Sequence, residues 1–258
     1  MGHVLTVDTP RPGVVRMLLN RPQTLNAING VLLEELTAAC AGIATDPVAH
    51  AVVLTGAGRG FCSGLDVRDF GPGIPAPSSP VIKRLRFQEA MASLPLAFRS
   101  LPQPVIAAVN GPCVGGGLAL CLAADIRLCA TTASFGNAAI LLGLSGAEMG
   151  MSYHLPRTVG TSVAADWMMT GRTVSAEEAD RRGLVSQVLD PGALMERALE
   201  LAAVIAELPP LAVQMTKRAL QVNTDSPDLA AALELENRNQ VLAHATDEAT
   251  ERRDKWVT

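Results

Sequence analysis

Residues 104–125, PVIAAVNGPCVGGGLALCLAAD, constrain the fold more than any other stretch of this chain. A β-branched, apolar run from Val105 to Asn110 stops at Gly111-Pro112, and three glycines then open a second apolar run, Leu118 to Ala124. The pattern predicts strand, tight turn and helix. The helix is apolar on every face, so it belongs inside a core. Gly115, Gly116 and Gly117 carry no side chains, and backbone N–H groups there can approach a ligand closely. At the positive end of a buried helix, those groups stabilise negative charge developing on a bound oxygen. That is the construction of an oxyanion hole.

With 258 residues, 48% of them hydrophobic, the chain can bury a large core. No low-complexity stretch or long linker divides it, which predicts one main domain with an appendage. The formal charge of −4 comes without a basic cluster and argues against nucleic acid or an anionic membrane as partner. Five cysteines, Cys40, Cys62, Cys113, Cys121 and Cys129, show no CxxC spacing. They read as buried free thiols in a reducing compartment, with no disulfide framework and no metal site. No signal-like N-terminus and no apolar run of bilayer length are present, so a cytoplasmic location is expected.

In order, the chain predicts strands at Val4–Asp8 and Val14–Leu19 around a Pro10–Gly13 turn. A helix capped by Asn29 follows, with Leu32, Leu33, Leu36, Ala39, Cys40 and Ile43 as its apolar stripe. A buried strand at Ala51–Leu54 runs into the glycine turn 55–60. Strand, glycine turn and helix thus recur at 51–70 and 104–124. Neither turn has the spacing of a phosphate-binding loop, so the α/β arrangement reads as a spiral of β-β-α units rather than a nucleotide-binding sheet. GPGIPAPSSP, 71–80, holds four prolines in ten residues and reads as a stiff surface loop, expected to move when ligand binds.

Lys83–Arg99 predicts a helix that Pro95 kinks or ends. Further along come a strand at Ile126–Ala130 and a helix at Thr161–Thr170. A capping box at Ser175–Glu178 opens another helix, and Leu184–Leu189 is a last strand. From Pro191 onward three or four helices are expected, with Pro209-Pro210 and Ser226-Pro227 as starts and Thr246 or Asp247 as a final cap. Lys217 and Arg218 read as a solvated helix face. The tail carries Leu229, Leu233, Leu235, Val241 and Leu242, which need a core or another subunit to cover them.

The segments NRPQTLNAI (20–28), VVLTGAGRGFCSGLD (52–66), PVIAAVNGPCVGGGLAL (104–120), FGNAAILLGL (135–144), LPRTVG (155–160) and MTGRTVSAEEADRRGLVSQV (169–188) resemble, in order and spacing, the crotonase superfamily of enoyl-CoA hydratases and isomerases. The resemblance covers nearly the whole chain. It implies a crotonase-like β-β-α spiral over 1–190 that carries an acyl-CoA site, and a helical region, 191–258, that assembles trimers or hexamers. It implies stabilisation of a thioester enolate by the backbone N–H groups of Leu65 and Gly116. Ser63, Gly64, Leu65, Asp66, Val67, Arg68, Gly115 and Gly116 would line coenzyme A, which enters as part of the substrate, so no separate cofactor is implied.

Two departures bear on the reaction. Family hydratases carry one glutamate two residues after the GGG and another after the FG dipeptide; here those positions are Ala119 and Ala139. A methyl group neither orients water nor exchanges its proton. Glu148, counted back from Leu155-Pro156, falls where family members that shift double bonds keep their acid/base carboxylate; counted forward from Gly143 it is one residue late. An apolar pocket of Ala119, Ala139, Ile140, Leu141 and Leu144 would raise its pKa. Ser145-Gly146-Ala147-Glu148 is also an S-x-x-E capping box, so the second reading of Glu148 is a helix cap. Asp66 reads as a turn or CoA contact, His154 as structural, and Ser63 and Ser152 lack a His/Asp partner. Three functions follow: an enoyl-CoA isomerase of fatty acid metabolism, a hydratase without the usual glutamates, or a non-catalytic acyl-CoA binder.

Overall fold

The computed structural model describes residues 3–68, 75 and 78–257. Strands β1 (Leu5–Arg11) and β2 (Val14–Leu19) pair antiparallel, Arg11 opposite Val14, so the turn is confined to Pro12-Gly13. Gly13 sits at φ +71°, which a side chain would strain. Asn29 caps α1 (Gly30–Thr45) by accepting the Leu32 N–H at 2.9 Å, and Leu32, Leu36, Cys40 and Ile43 form its buried face. The middle of the chain runs β3 (Ala51–Gly56), α2 (Val81–Ser100), β4 (Val105–Val109), β5 (Pro112–Val114), α3 (Gly116–Ala123), β6 (Ile126–Ala130) and β7 (Ser134–Gly136). It continues through α4 (Met151–Val159), α5 (Thr161–Thr170), β8 (Val174–Ser175), α6 (Ala176–Arg181) and β9 (Gln187–Leu189), and closes with α7 (Pro191–Ala206), α8 (Pro210–Asn223), α9 (Leu229–His244) and α10 (Asp247–Val257).

The larger sheet has the order β1-β2-β3-β4-β6-β9 and is parallel beyond the first hairpin; the smaller has the order β5-β7-β8. Successive strands therefore alternate between layers. β4 lies in the large sheet, β5 in the small one, and α3 follows; β6 and β7 repeat the step. Bridges Cys62↔Cys113 and Ile28↔Leu65 extend the small layer under the first glycine turn. β3 and β4 are buried at every position, which is why they read as continuous apolar runs. Val53, Ile106 and Ala108 face α7 through Leu194, Ala198 and Ala202, whereas Val52, Leu54, Ala107 and Val109 face the helices on the other side. All eight residues of α3 are buried, as its all-round apolarity requires.

Several elements differ from expectation. The step between β4 and α3 is the short strand β5, because Cys113 pairs with both Cys62 and Phe135. Pro95 neither ends nor interrupts α2: Met91, Leu94, Pro95 and Phe98 are buried together, and that packing outweighs the missing N–H. The last strand is only Gln187–Leu189. α9 starts at Asp228, whose side chain accepts the Ala231 N–H at 2.8 Å, two residues beyond Ser226. Thr246 caps α10 through Ala249, and Ser175 accepts the Glu178 N–H at 3.2 Å as expected.

Lys217 is not solvated. It is 7% exposed, donates to the Gln103 carbonyl at 2.8 Å and pairs with Asp125 at 2.8 Å, fastening α8 under the sheet. Breaking such a buried pair on one side costs roughly 3–5 kcal/mol. The five cysteines are buried and free. Most of the proline-rich segment 71–80 lies outside the described residues. Among the described residues no single helix is long and apolar enough to cross a membrane.

Candidate active site

Two glycine loops meet at the ends of β3 and β4. Gly64, at φ +89°, is packed so tightly on the second loop that a Cβ there would lie 2.9 Å from the Val114 carbonyl and 3.2 Å from the Gly116 nitrogen. Leu65 pairs with Ile28: the Ile28 N–H donates to the Gly64 carbonyl at 2.7 Å and the Asp66 N–H to the Ile28 carbonyl at 2.9 Å. This parallel pairing turns the Leu65 N–H the other way, toward the second loop. Gly116 is the first residue of α3, where helix geometry provides no acceptor for its N–H. Gly115, at φ +53°, caps the helix without a side chain. Two backbone donors predicted to act together are thus on adjoining loops, one of them at the positive end of a buried helix.

Buried amides hold the first loop in shape. Asn26 donates to the Ala57 and Gly60 carbonyls at 2.9 and 2.8 Å and accepts the Arg21 N–H at 2.8 Å. Asn110 donates to the Gly56 and Gly58 carbonyls at 2.9 and 3.0 Å. A glycine turn exposes carbonyls that nothing on the turn itself can satisfy, and two asparagines from neighbouring loops supply the donors. Asp66 is buried and pairs with Arg21 at 2.8 Å, while its Oδ1 accepts the Arg68 N–H at 3.1 Å. Its side chain therefore serves the turn. Ser63 is half-buried and donates to the Thr24 carbonyl at 3.0 Å, so its hydroxyl is not paired with a histidine. Val67 and Arg68 are exposed at the edge of the loop.

Glu148 does not cap a helix. Ser145 accepts the Ala147 N–H at 3.1 Å in a local turn, and the next helix begins only at Met151, capped by Gly150 without a side-chain bond. The Glu148 carboxyl is half-buried; desolvation raises its pKa, and a hydrogen bond from Gln88 on α2 opposes part of that rise. Leu141 and Leu144, expected around it, are 66% and 61% exposed, so burial here comes from the loop and α2 and not from those side chains. Met149, the next residue, is buried at φ +48°, and its sulfur lies 3.4 Å from where a Gly116 Cβ would be. The Glu148 loop is therefore folded directly over the second donor.

Three non-glycine residues among those described have positive φ: Leu25, Asn26 and Met149. Each sits on a loop that forms this site. Backbone strain of this kind persists only where the surroundings over-determine it, and it concentrates at functional sites. Ala119 and Ala139 are 1% and 8% exposed, so neither of the hydratase glutamate positions offers a proton-transfer group. His154 lies one turn into α4, its N–H donating to the Gly150 carbonyl at 3.0 Å, and its ring belongs to a basic cluster with Arg99, Arg127 and Arg157. Sequence reasoning missed Asn26, Asn110, Arg21 and Gln88. Asn110 had a legible signal, a polar side chain closing an otherwise apolar run; Arg21 and Asn26, in the polar segment 20–28, and Gln88, on a helix with no amphipathic pattern, had none.

A profile of the enoyl-CoA hydratase/isomerase family matches residues 10–257. Over 240 residues the chain is 42% identical to the probable enoyl-CoA hydratase echA12 of Mycobacterium bovis, covering 92% of this chain and 84% of that protein. A probable enoyl-CoA hydratase/isomerase from Mycobacterium abscessus superposes with a TM-score of 0.88 at 38% identity, covering 98% of this chain and 96% of the other. A monofunctional enoyl-CoA isomerase from M. smegmatis superposes at 0.77 with 37% identity, covering 90% of this chain and 99% of that one.

Proposed function

The chain belongs to the enoyl-CoA hydratase/isomerase family of the crotonase superfamily, and on that premise we propose that this acyl-CoA enzyme shifts a carbon–carbon double bond in an enoyl-CoA. The thioester carbonyl of a 3-enoyl-CoA accepts hydrogen bonds from the Leu65 and Gly116 N–H groups. Glu148 takes a proton from C2, the electron pair moves onto the thioester oxygen as a dienolate, and the two N–H groups hold that charge. The same carboxyl then returns the proton to C4, leaving the double bond conjugated at C2. One acid/base group suffices because it gives back what it removed.

A single observation carries this reading: the half-buried carboxyl of Glu148 sits on a strained loop folded over Gly116, while alanine occupies both hydratase glutamate positions. Coenzyme A would lie along Ser63–Arg68 and Gly115-Gly116. The hydratase names of relatives such as echA12 favour a second reading, addition of water. The two are separated by ultraviolet absorbance. A 3-enoyl-CoA should gain the absorbance of the conjugated thioester, and a 2-enoyl-CoA should not lose it through hydration. An enoyl-CoA that binds without any spectral change would instead make the protein a non-catalytic acyl-CoA binder.

The helical region 191–258 serves assembly in this reading. α9 has no buried residue, and Leu229, Leu233, Val241 and Leu242 are 74%, 43%, 70% and 56% exposed. An apolar set of this size on one helix of the C-terminal region needs a cover, and a second copy of the chain supplies it. Sedimentation is expected to give a trimer or hexamer at micromolar concentration; a monomer would contradict it.

A further inference from the structure

The glycine loops sit at the C-terminal ends of β3 and β4. At the opposite end, where Pro104 enters β4 and Asp125-Ile126 enter β6, lies a cleft of about 600 Å³ with α4 and α8 as its walls. Its volume is that of a small-molecule site. The lining divides into two kinds. Leu122, Ile126, Val213 and Leu220 give an apolar surface, and Arg99, Arg127, Arg157 and Lys217 place four cations on it.

Carboxylates do not balance them. Asp125 serves both Lys217, at 2.8 Å, and Arg99, at 3.7 Å, and Asp225 at the end of α8 serves Arg157 at 3.0 Å. Arg127 donates to the Leu184 and Ala124 carbonyls at 2.6 and 2.9 Å and has no carboxylate within ion-pair distance among the described residues. His154, also in the wall, feels the result: burial and then Arg99, Arg127 and Arg157 lower its pKa to about 4. The imidazole is thus neutral at physiological pH inside a positive field that a bound anion would offset.

We propose that this cleft is a second ligand site, separate from the glycine loops, and that it takes a free fatty acid: a carboxylate facing Arg127 and Arg157 with its alkyl chain along Leu122, Ile126, Val213 and Leu220. The pairing of charge excess with apolar wall selects for both halves of the ligand. A short carboxylate lacks the chain, and a fatty alcohol lacks the charge. Nothing in this proposal depends on the reaction at the glycine loops.

The test is calorimetric titration of the full-length protein with decanoate. Decanoate is expected to bind once per chain, to persist under saturating coenzyme A, and to exceed decanol and acetate at least tenfold in affinity. Two substitutions on α8 probe the cleft without disturbing the core. Ala212→Phe should fill it, and Leu220→Glu, at a position 70% exposed, should repel the anion; each should weaken decanoate at least tenfold with the thermal midpoint held, while Leu220→Gln changes little. Failure of decanoate to bind, displacement by coenzyme A, equal binding of decanol, or indifference to both Ala212→Phe and Leu220→Glu would each overturn the proposal.

Discussion

Gly64→Ala is expected to lower turnover of an enoyl-CoA by about a hundred- to a thousandfold, the loss that follows removal of one oxyanion donor. The added methyl would sit 2.9 Å from the Val114 carbonyl and 3.2 Å from the Gly116 nitrogen, at a residue whose φ is +89°. Relief requires the two glycine loops to part, which moves the Leu65 and Gly116 N–H groups out of register with a common oxygen. Gly143→Ala is the matched control. That residue also has positive φ, +76°, but nothing lies within 4 Å of its added Cβ, so it should lose only the roughly 1–2 kcal/mol of left-handed backbone strain and keep its activity. Steady-state kinetics with melting curves on both variants checks this. Normal kcat in Gly64→Ala would remove the two-loop oxyanion hole from the account.

Glu148→Gln should lower turnover of a 3-enoyl-CoA by on the order of a hundredfold or more while acyl-CoA affinity changes little, because the amide keeps the shape and loses the proton. The raised pKa adds a pH signature. Isomerisation needs the carboxylate as base, so kcat/KM should fall on the acid side with an apparent pKa above the ordinary glutamate value. Stability runs the other way. A carboxyl whose folded pKa is raised favours the fold while protonated, below its unfolded pKa, and that contribution is lost as pH rises through the folded pKa. At neutral pH the substitution should therefore leave the protein as stable as before or more so, while activity falls. A purely structural Glu148 would give the reverse: lower stability with turnover retained.

The layers of the fold were legible because they follow from local pattern. Val52–Leu54 and Val105–Val109 are apolar without alternation, as strands covered on both faces must be, and α3 is apolar all round because it is buried all round. The boundaries that failed were decided by distant contacts. β5 exists because Cys113 bridges Cys62 and pairs with Phe135, and α2 runs through Pro95 because Met91, Leu94 and Phe98 are packed around it. Lys217 reads as solvated on its own helix, yet its partners Gln103 and Asp125 lie about a hundred positions away.

The same division holds at the candidate site. The glycine loops were readable from sequence, since only glycine tolerates a neighbouring backbone so close. The capping-box reading of Glu148 was equally sound on sequence grounds. It failed because Met149 and Gly150 take left-handed conformations at φ +48° and +80° and delay the helix to Met151. No local propensity announces a left-handed methionine; the packing of its side chain against Gly116 does.

The account rests most on what Glu148 does with a proton once Leu65 and Gly116 hold the thioester. The direct measurement is the product formed from a purified 3-enoyl-CoA, identified by mass and by chromatography against 2-enoyl and 3-hydroxyacyl standards. A product of unchanged mass that co-elutes with the 2-enoyl-CoA is the expected result. A product heavier by one water, formed at a rate that Glu148→Gln does not alter, would contradict it.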